Sequence, residues 1–315
     1  MYKGSTAIGK LVEHIHEEDR EASSHWRKYH SKFEYFNGKF EGVDGFGGNS
    51  KSNILRRILH KQFQHKFRKL ATNLPAFKKI DNSARKLLIK QNRSYDLDVL
   101  RQSLTLAYLK KIIPEKLNKS ETACVIGDGF ATMTTLILSN QLAKNVILVN
   151  LTKTLLIDLH YLKLYMGAKE FEDSVYLVTN LNELKETLSS LKYFKNEGKV
   201  IAIQAVHHKL LQNCPIDIAL NIASMQEMDP QTISSYFDDL RAISSKRKLI
   251  FYCCNREEKQ LPDGTVTRFS DYSWDLSDSI IFDELCPWHQ EYYAFHPPFF
   301  RPYDGPIRHR LCAFS

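Results

Sequence analysis

The 315-residue sequence predicts an α/β fold: a doubly wound Rossmann-like sheet behind an N-terminal helical domain. Two observations carry the sheet. From Glu121 onward, short apolar runs at 123–126, 146–149, 175–178, 200–205, 216–222 and 248–254 alternate with helical patterns near 133–142, 153–165, 181–191 and 230–243. Strands separated by crossover helices pair in parallel. The first unit is also tightly closed: an apolar run, a Gly127-Asp128-Gly129 turn, a helix, then an apolar run ending at Asn150. The third observation is helical periodicity up to Pro114, which sets the front of the chain apart. The boundary is placed between a helical cap at 1–118 and a ligand-binding domain at 119–315.

The front elements follow in order. Residues 1–50 are polar with little period, and 42–48 is a glycine-rich loop carrying Phe46, with Phe40 just before it; the segment reads as a moving lid over a crevice. Residues 52–70 read as a helix, with Ile54, Leu55, Ile58, Leu59, Phe63, Phe67 and Leu70 at helical spacing between basic residues. A membrane-surface helix would look the same, and the core-packed reading is preferred. Further helices are expected at 82–91 and 97–113, the last ended by Pro114. After Cys254 the helical signal stops, and 256–315 reads as an antiparallel edge with substrate-facing loops.

Charge is unevenly placed. Residues 1–120 hold 25 Lys/Arg against 12 Asp/Glu, a net +13; the rest hold 19 against 24, a net −5, within a total of +8. Most of these charges read as solvated helix faces. No apolar run of about 18 residues occurs, so no membrane span is expected. The N-terminus lacks the apolar stretch of a signal peptide. Six cysteines without a C-x-x-C pair read as reduced thiols in a cytoplasmic protein.

The glycine turn carries the chemistry. Gly127 and Gly129 leave room where a nucleotide-like ligand approaches the sheet edge, and Asn150, 21 residues beyond Gly129, sits where such folds place a hydrogen-bonding side chain for ribose. A dinucleotide fingerprint would have a third glycine where Thr132 stands. The looser pattern suits S-adenosylmethionine (SAM), which has no pyrophosphate. Asp128, Phe130 and Leu151 flank these positions, and Ala205, Val206 and His207 follow another strand to the same edge. The strand at 216–222 continues into Ser224-Met225-Gln226-Glu227, which places Asn221, Ser224 and Glu227 at the ligand crevice.

Further along, Asn255, Arg256, Tyr272, Trp274 and Trp288 make a surface suited to stacking a sugar or aromatic acceptor. His289 is a candidate general base, with Glu227 beside it and Asp271 in reserve. Cys286 and His289 would make half a metal site, but no second pair at ligand spacing is visible, and no metal is expected.

Three blocks, Val125-Ile126-Gly127-Asp128-Gly129-Phe130, Asn150-Leu151-Thr152-Lys153-Thr154-Leu155 and Asn221-Ile222-Ala223-Ser224-Met225-Gln226-Glu227-Met228, resemble the sugar O-methyltransferase family of SAM-dependent enzymes. The resemblance extends through Leu261-Pro262-Asp263-Gly264 and Asp271-Tyr272-Ser273-Trp274 to Asp304-Gly305-Pro306. It implies a class I methyltransferase fold, SAM as cofactor and a sugar or glycan hydroxyl as methyl acceptor. The chain departs from the general methyltransferase pattern at Val125, where an acid is usual, at Ala131, in place of a third glycine, and at Asn150, in place of the ribose-binding acid. Two other readings stay open: an RNA methyltransferase, suggested by the basic front, and a non-catalytic nucleotide-binding module, suggested by Val125 and Asn150. Without the basic and aromatic interleaving of a base-stacking platform, nucleic acid is not the expected partner.

Overall fold

A nine-stranded sheet organises the chain. The structure is a computed structural model that describes residues 1–36, 38–43, 54–194 and 198–315. Its strands are β1 (Tyr2–Lys3), β2 (Thr122–Ile126), β3 (Asn145–Asn150), β4 (Val175–Val178), β5 (Val200–Gln204), β6 (Ile218–Ile222), β7 (Ile250–Arg256), β8 (Ser279–Leu285) and β9 (Ile307–Ala313). Their order across the sheet is β1-β4-β5-β3-β2-β6-β7-β9-β8. Strands β2 to β7 are parallel. β1 is antiparallel to β4, and β9 is antiparallel to both its neighbours.

The helices among the described residues are α1 (Ser5–Glu13), α2 (Ser24–His30), α3 (Ile54–Phe63), α4 (His65–Arg68), α5 (Phe77–Gln91), α6 (Leu97–Ile112), α7 (Pro114–Lys119), α8 (Thr132–Ser139), α9 (Thr152–Met166), α10 (Ala168–Ser174), α11 (Leu181–Phe194) and α12 (Pro230–Ser244). The six expected strands are present, and β9 supplies the antiparallel strand expected after Cys254. The doubly wound α/β class is the one the alternation predicts.

Local chemistry explains the differences. The helix expected at 52–70 breaks at Gln64 into α3 and α4 and ends in a 3-10 turn at Lys69–Ala71. Pro114 ends α6 and also opens α7, since its missing N–H falls where a helix start has no partner for one. Helix α10 and the 3-10 segment Ala205–Asn213 carry too short a pattern to stand out in sequence. From Asp44 on, the expected lid at 42–48 lies outside the described residues, as do Ser52 and Asn53. Phe40 is described, its ring edge-on to His160 at 4.8 Å.

The sheet is buried on both faces, which is why its central strands read as unbroken Val/Ile runs. On one face Ala123, Val125, Val146, Leu148, Leu220 and Tyr252 pack with α1, α5, α6, α8 and α9. On the other, Cys124, Ile126, Ile147, Val149, Ala219 and Phe251 pack with α11, α12 and the 3-10 segment. Each fully buried large side chain contributes about 1.5–3 kcal/mol. A ladder hydrogen bond nets only about 1 kcal/mol, so burial dominates. The change at 118/119 is from helix to sheet along the chain; residues on both sides of it share one apolar core. Among the described residues, no helix is long and apolar enough to cross a membrane.

Candidate active site

β2 and β6 are neighbours from which the chain proceeds toward opposite ends of the sheet, so a crevice opens at their carboxyl ends. A cavity of about 240 Å³ lies there. Gly127, Asp128, Gly129, Phe130, Asn150, Leu151, Ala205, Ser224, Glu227 and His289, all expected at the site, line it.

The glycine turn is built around backbone that side chains resist. Gly127 has φ 76° and Gly129 has φ 99°. A Cβ on Gly127 would lie 2.0 Å from Oγ of Ser224, so this glycine makes room for a neighbouring loop. Ala131 holds φ 49°, a left-handed conformation that glycine adopts without strain. Its N–H donates to Oδ1 of Asp158 on α9 at 2.8 Å. Asp128 accepts from the N–H groups of Met133 and Thr134 at 2.9 and 2.7 Å. Burial raises the pKa of both carboxyls, and for Asp158 the nearby Asp128 raises it further. The N–H groups that a phosphate would need at the start of α8 are therefore taken by the protein's own carboxyls. A pyrophosphate fits this turn poorly; a ligand without phosphates fits it.

Asn150 lines the cavity, but its side chain is committed inward. Its Nδ2 donates to Asp158 at 2.8 Å, and its Oδ1 accepts from Leu151 N–H at 3.0 Å.

Two buried amides fix the loop after β6. Asn221 Nδ2 donates to the Ile126 carbonyl (2.9 Å), and its Oδ1 accepts from Met225 N–H (3.1 Å) and Asn255 Nδ2 (2.8 Å). Asn255 Oδ1 accepts from Gln226 N–H at 3.1 Å. The ends of β2, β6 and β7 are thus tied together, which holds Ser224 and Glu227 at the cavity. Neither amide lines it, because both are consumed in positioning.

The front of the chain, read in sequence as a cap, supplies one wall through residues that the sequence does not single out. Trp26 on α2 and Glu21 before it line the cavity, and Trp26 packs with Ala22, Leu151 and Ala205 in a small apolar cluster. Ser23 Oγ donates to the Glu227 carbonyl at 2.5 Å. Asp19 accepts from Thr152 N–H at 2.7 Å, capping α9.

α6 and the C-terminal region add Asp98, Arg101, Gln102, His289 and Tyr303 to the lining. Arg101 is 4% exposed and donates to the carbonyls of Trp288 (2.9 Å) and Glu291 (2.7 Å) and to Asp98 (2.9 Å). Gln102 Oε1 and His289 Nε2 are buried with no hydrogen-bond partner among the described residues. Burial, then the Arg101 charge, holds His289 well below its ordinary pKa, so it is a neutral imidazole. Glu227 pairs with Lys259 Nζ at 2.8 Å, and His25 Nε2 stands 3.5 Å away. Burial raises the Glu227 pKa against the opposing pull of Lys259. Burial lowers His25 to about 4, leaving it neutral beside this ion pair.

Other expected site residues do different work. Val206 is exposed, and His207 next to it is half-buried; neither lines the cavity. Arg256 lies one layer out, stacked 5.1 Å over Tyr303 and paired with Asp304. Tyr272 and Trp274 do not form a stacking platform at the cavity; they pack against Phe237 under α12, where their apolar area is better covered. Trp288 is buried, its Nε1 donating to Thr105 Oγ1 at 3.0 Å. Asp271 is 64% exposed, bonded to Ser270 and away from the cavity; this geometry removes it as a reserve base.

No family model matches the chain, and no curated protein matches it. The sugar O-methyltransferase resemblance therefore stays with the residues that carry it. Among solved structures, the chain is similar to the magnesium protoporphyrin IX methyltransferase of Synechocystis PCC 6803 with bound SAM, at 8% identity over 85% of this chain and 100% of that one, TM-score 0.34. It is similar to M. capricolum TrmK in complex with S-adenosyl-homocysteine, at 12% identity over 65% and 66% of the two chains, TM-score 0.31. A SAM-dependent methyltransferase from Clostridium acetobutylicum ATCC 824 is 10% identical over 66% and 89%, TM-score 0.34. Likenesses this distant assign neither cofactor nor substrate, and both are inferred from the chain's own residues.

Proposed function

We propose that this protein is a class I SAM-dependent O-methyltransferase that acts on a sugar hydroxyl. One observation supports the reading above the rest. The cavity at the sheet's switch point is lined both by an apolar slot of Trp26, Leu151 and Ala205 and by the polar side chains of Asp98, Gln102, Glu227 and His289. The slot suits an adenine ring. The carboxyl-filled glycine turn favours a ligand with no phosphate.

When bound, SAM supplies a methyl group on its sulfonium sulfur, which leaves as an acceptor oxygen attacks. The chain's part is to bind, align and deprotonate. Alignment of two reactants accounts for most of the rate in such a displacement. In this reading Gln102 accepts and donates hydrogen bonds to a polyhydroxyl acceptor, and Asp98 accepts them. Glu227 is the better base: burial raises its pKa, against the opposing pull of Lys259. Neutral His289, with a depressed pKa, is a weak one.

The test is incubation of the full chain with SAM and a panel of monosaccharides, oligosaccharides and RNA, read by mass spectrometry. A gain of one methyl group on a sugar oxygen is expected. Methylation of RNA alone would replace this reading, and SAM binding with no transfer to any acceptor would favour a non-catalytic module.

A further inference from the structure

The Cys286 and His289 pair, only half a metal site in sequence, gains a third member in the fold. Cys254 on β7 comes beside them, and one donor atom from each residue lies within 4.8 Å of the others. All three are buried: both cysteines at 0% and His289 at 5%. Neither cysteine is in a disulfide. His289 Nε2 is buried with no hydrogen-bond partner among the described residues, which in an interior costs about 1–3 kcal/mol unless something answers it. His289 also lines the cavity, so through it the cluster adjoins the crevice.

We propose that Cys254, Cys286 and His289 form a zinc site with its fourth position open to the cavity. The donor set is that of a catalytic zinc, with two thiolates, one neutral imidazole and a place for water. Bonds of about 2.3 Å to sulfur and about 2.0 Å to nitrogen put tetrahedral donors roughly 3.5–3.8 Å apart. The cluster needs to close by about 1 Å. Binding releases the two thiol protons to solvent, and the Zn²⁺ charge then balances the two thiolates. The nearby Arg101 guanidinium therefore faces a neutral unit. Sequence spacing could not show the site, because Cys254 lies on β7, 32 residues before Cys286. The site does not depend on the methyltransferase reading.

The test uses the full chain, purified under reducing conditions. Metal analysis should return about one zinc per chain. After zinc removal, titration with Co²⁺ alone should produce a thiolate-to-cobalt charge-transfer band that saturates at one equivalent. Cys286→Ser and His289→Ala should each abolish or strongly weaken the band, and Cys312→Ser, a buried cysteine outside the cluster, should keep it. Absence of zinc together with absence of a cobalt band in the unmodified, reduced protein overturns the proposal, as does a band that survives both cluster variants. Because the unmodified protein alone can overturn it, misfolding of a variant leaves the test intact.

Discussion

Oγ of Ser224 occupies the space where a side chain on Gly127 would begin, 2.0 Å from an ideal Cβ. The ends of β2 and β6 can meet only because residue 127 has no side chain. Gly127→Ala meets two separate penalties: the clash with Ser224, and φ 76° imposed on a residue with a Cβ. Each is of order 1–3 kcal/mol. Urea unfolding should show Gly127→Ala destabilised by about 2–4 kcal/mol, with Ser224→Gly in the same chain recovering part of the loss. Full recovery would mean the backbone conformation carries no strain, and no recovery would mean the contact is not the cause.

Trp26 should matter to the ligand more than to the fold. It is partly buried over Leu151 and Ala205. Trp26→Ala should weaken S-adenosyl-homocysteine binding by about 10-fold, the loss of one aromatic stacking contact, while thermal stability changes little. Unchanged affinity would move the adenine slot elsewhere.

Turnover should depend on pH through Glu227. A base works in its ionised form, and burial has raised this carboxyl's pKa. The rate should therefore rise with pH through a limb above the ordinary carboxylate range, then level off. Glu227→Gln should lower turnover by about 10²-fold and remove the limb, with cofactor affinity within a few-fold of the parent. His25, lowered to about 4, adds no step near neutrality. A limb that persists in Glu227→Gln assigns the proton to another group.

How legible the sequence is varies with the kind of signal. Each central strand is visible because burial on both faces forces an unbroken apolar run, and the Gly127-Asp128-Gly129 turn is visible because its backbone excludes side chains. Residues whose role depends on a distant partner leave no such trace. Trp26 and Glu21 precede the first sheet unit by about a hundred residues, and Arg101 looks like one more cation on a helix. Tyr272 and Trp274 mislead for the opposite reason: an aromatic cluster reads the same whether it covers a core or a ligand. Asn150 and Asn221 reach the right place, yet their hydrogen bonds are spent on Asp158 and on the strand ends.

Arg101 is predicted to be a structural requirement of the acceptor wall. Its guanidinium donates to the Trp288 and Glu291 carbonyls, in a nearly closed environment. Arg101→Met should destabilise the fold by about 3 kcal/mol, since truncation strands buried acceptors. Arg101→Lys should rescue little, because one ammonium cannot reproduce the fork. A loss under about 1 kcal/mol in chemical denaturation would show that solvent replaces the guanidinium there.

The central claim is that the crevice at the carboxyl ends of β2 and β6 binds SAM, and calorimetric titration of the full chain with SAM and S-adenosyl-homocysteine tests it most directly. The account predicts saturable binding at one equivalent per chain, weakened at least 10-fold by Gly129→Val, which places a branched side chain at φ 99° on the cavity wall. Absence of binding by either compound at millimolar concentration, or equal affinity in Gly129→Val, would contradict it.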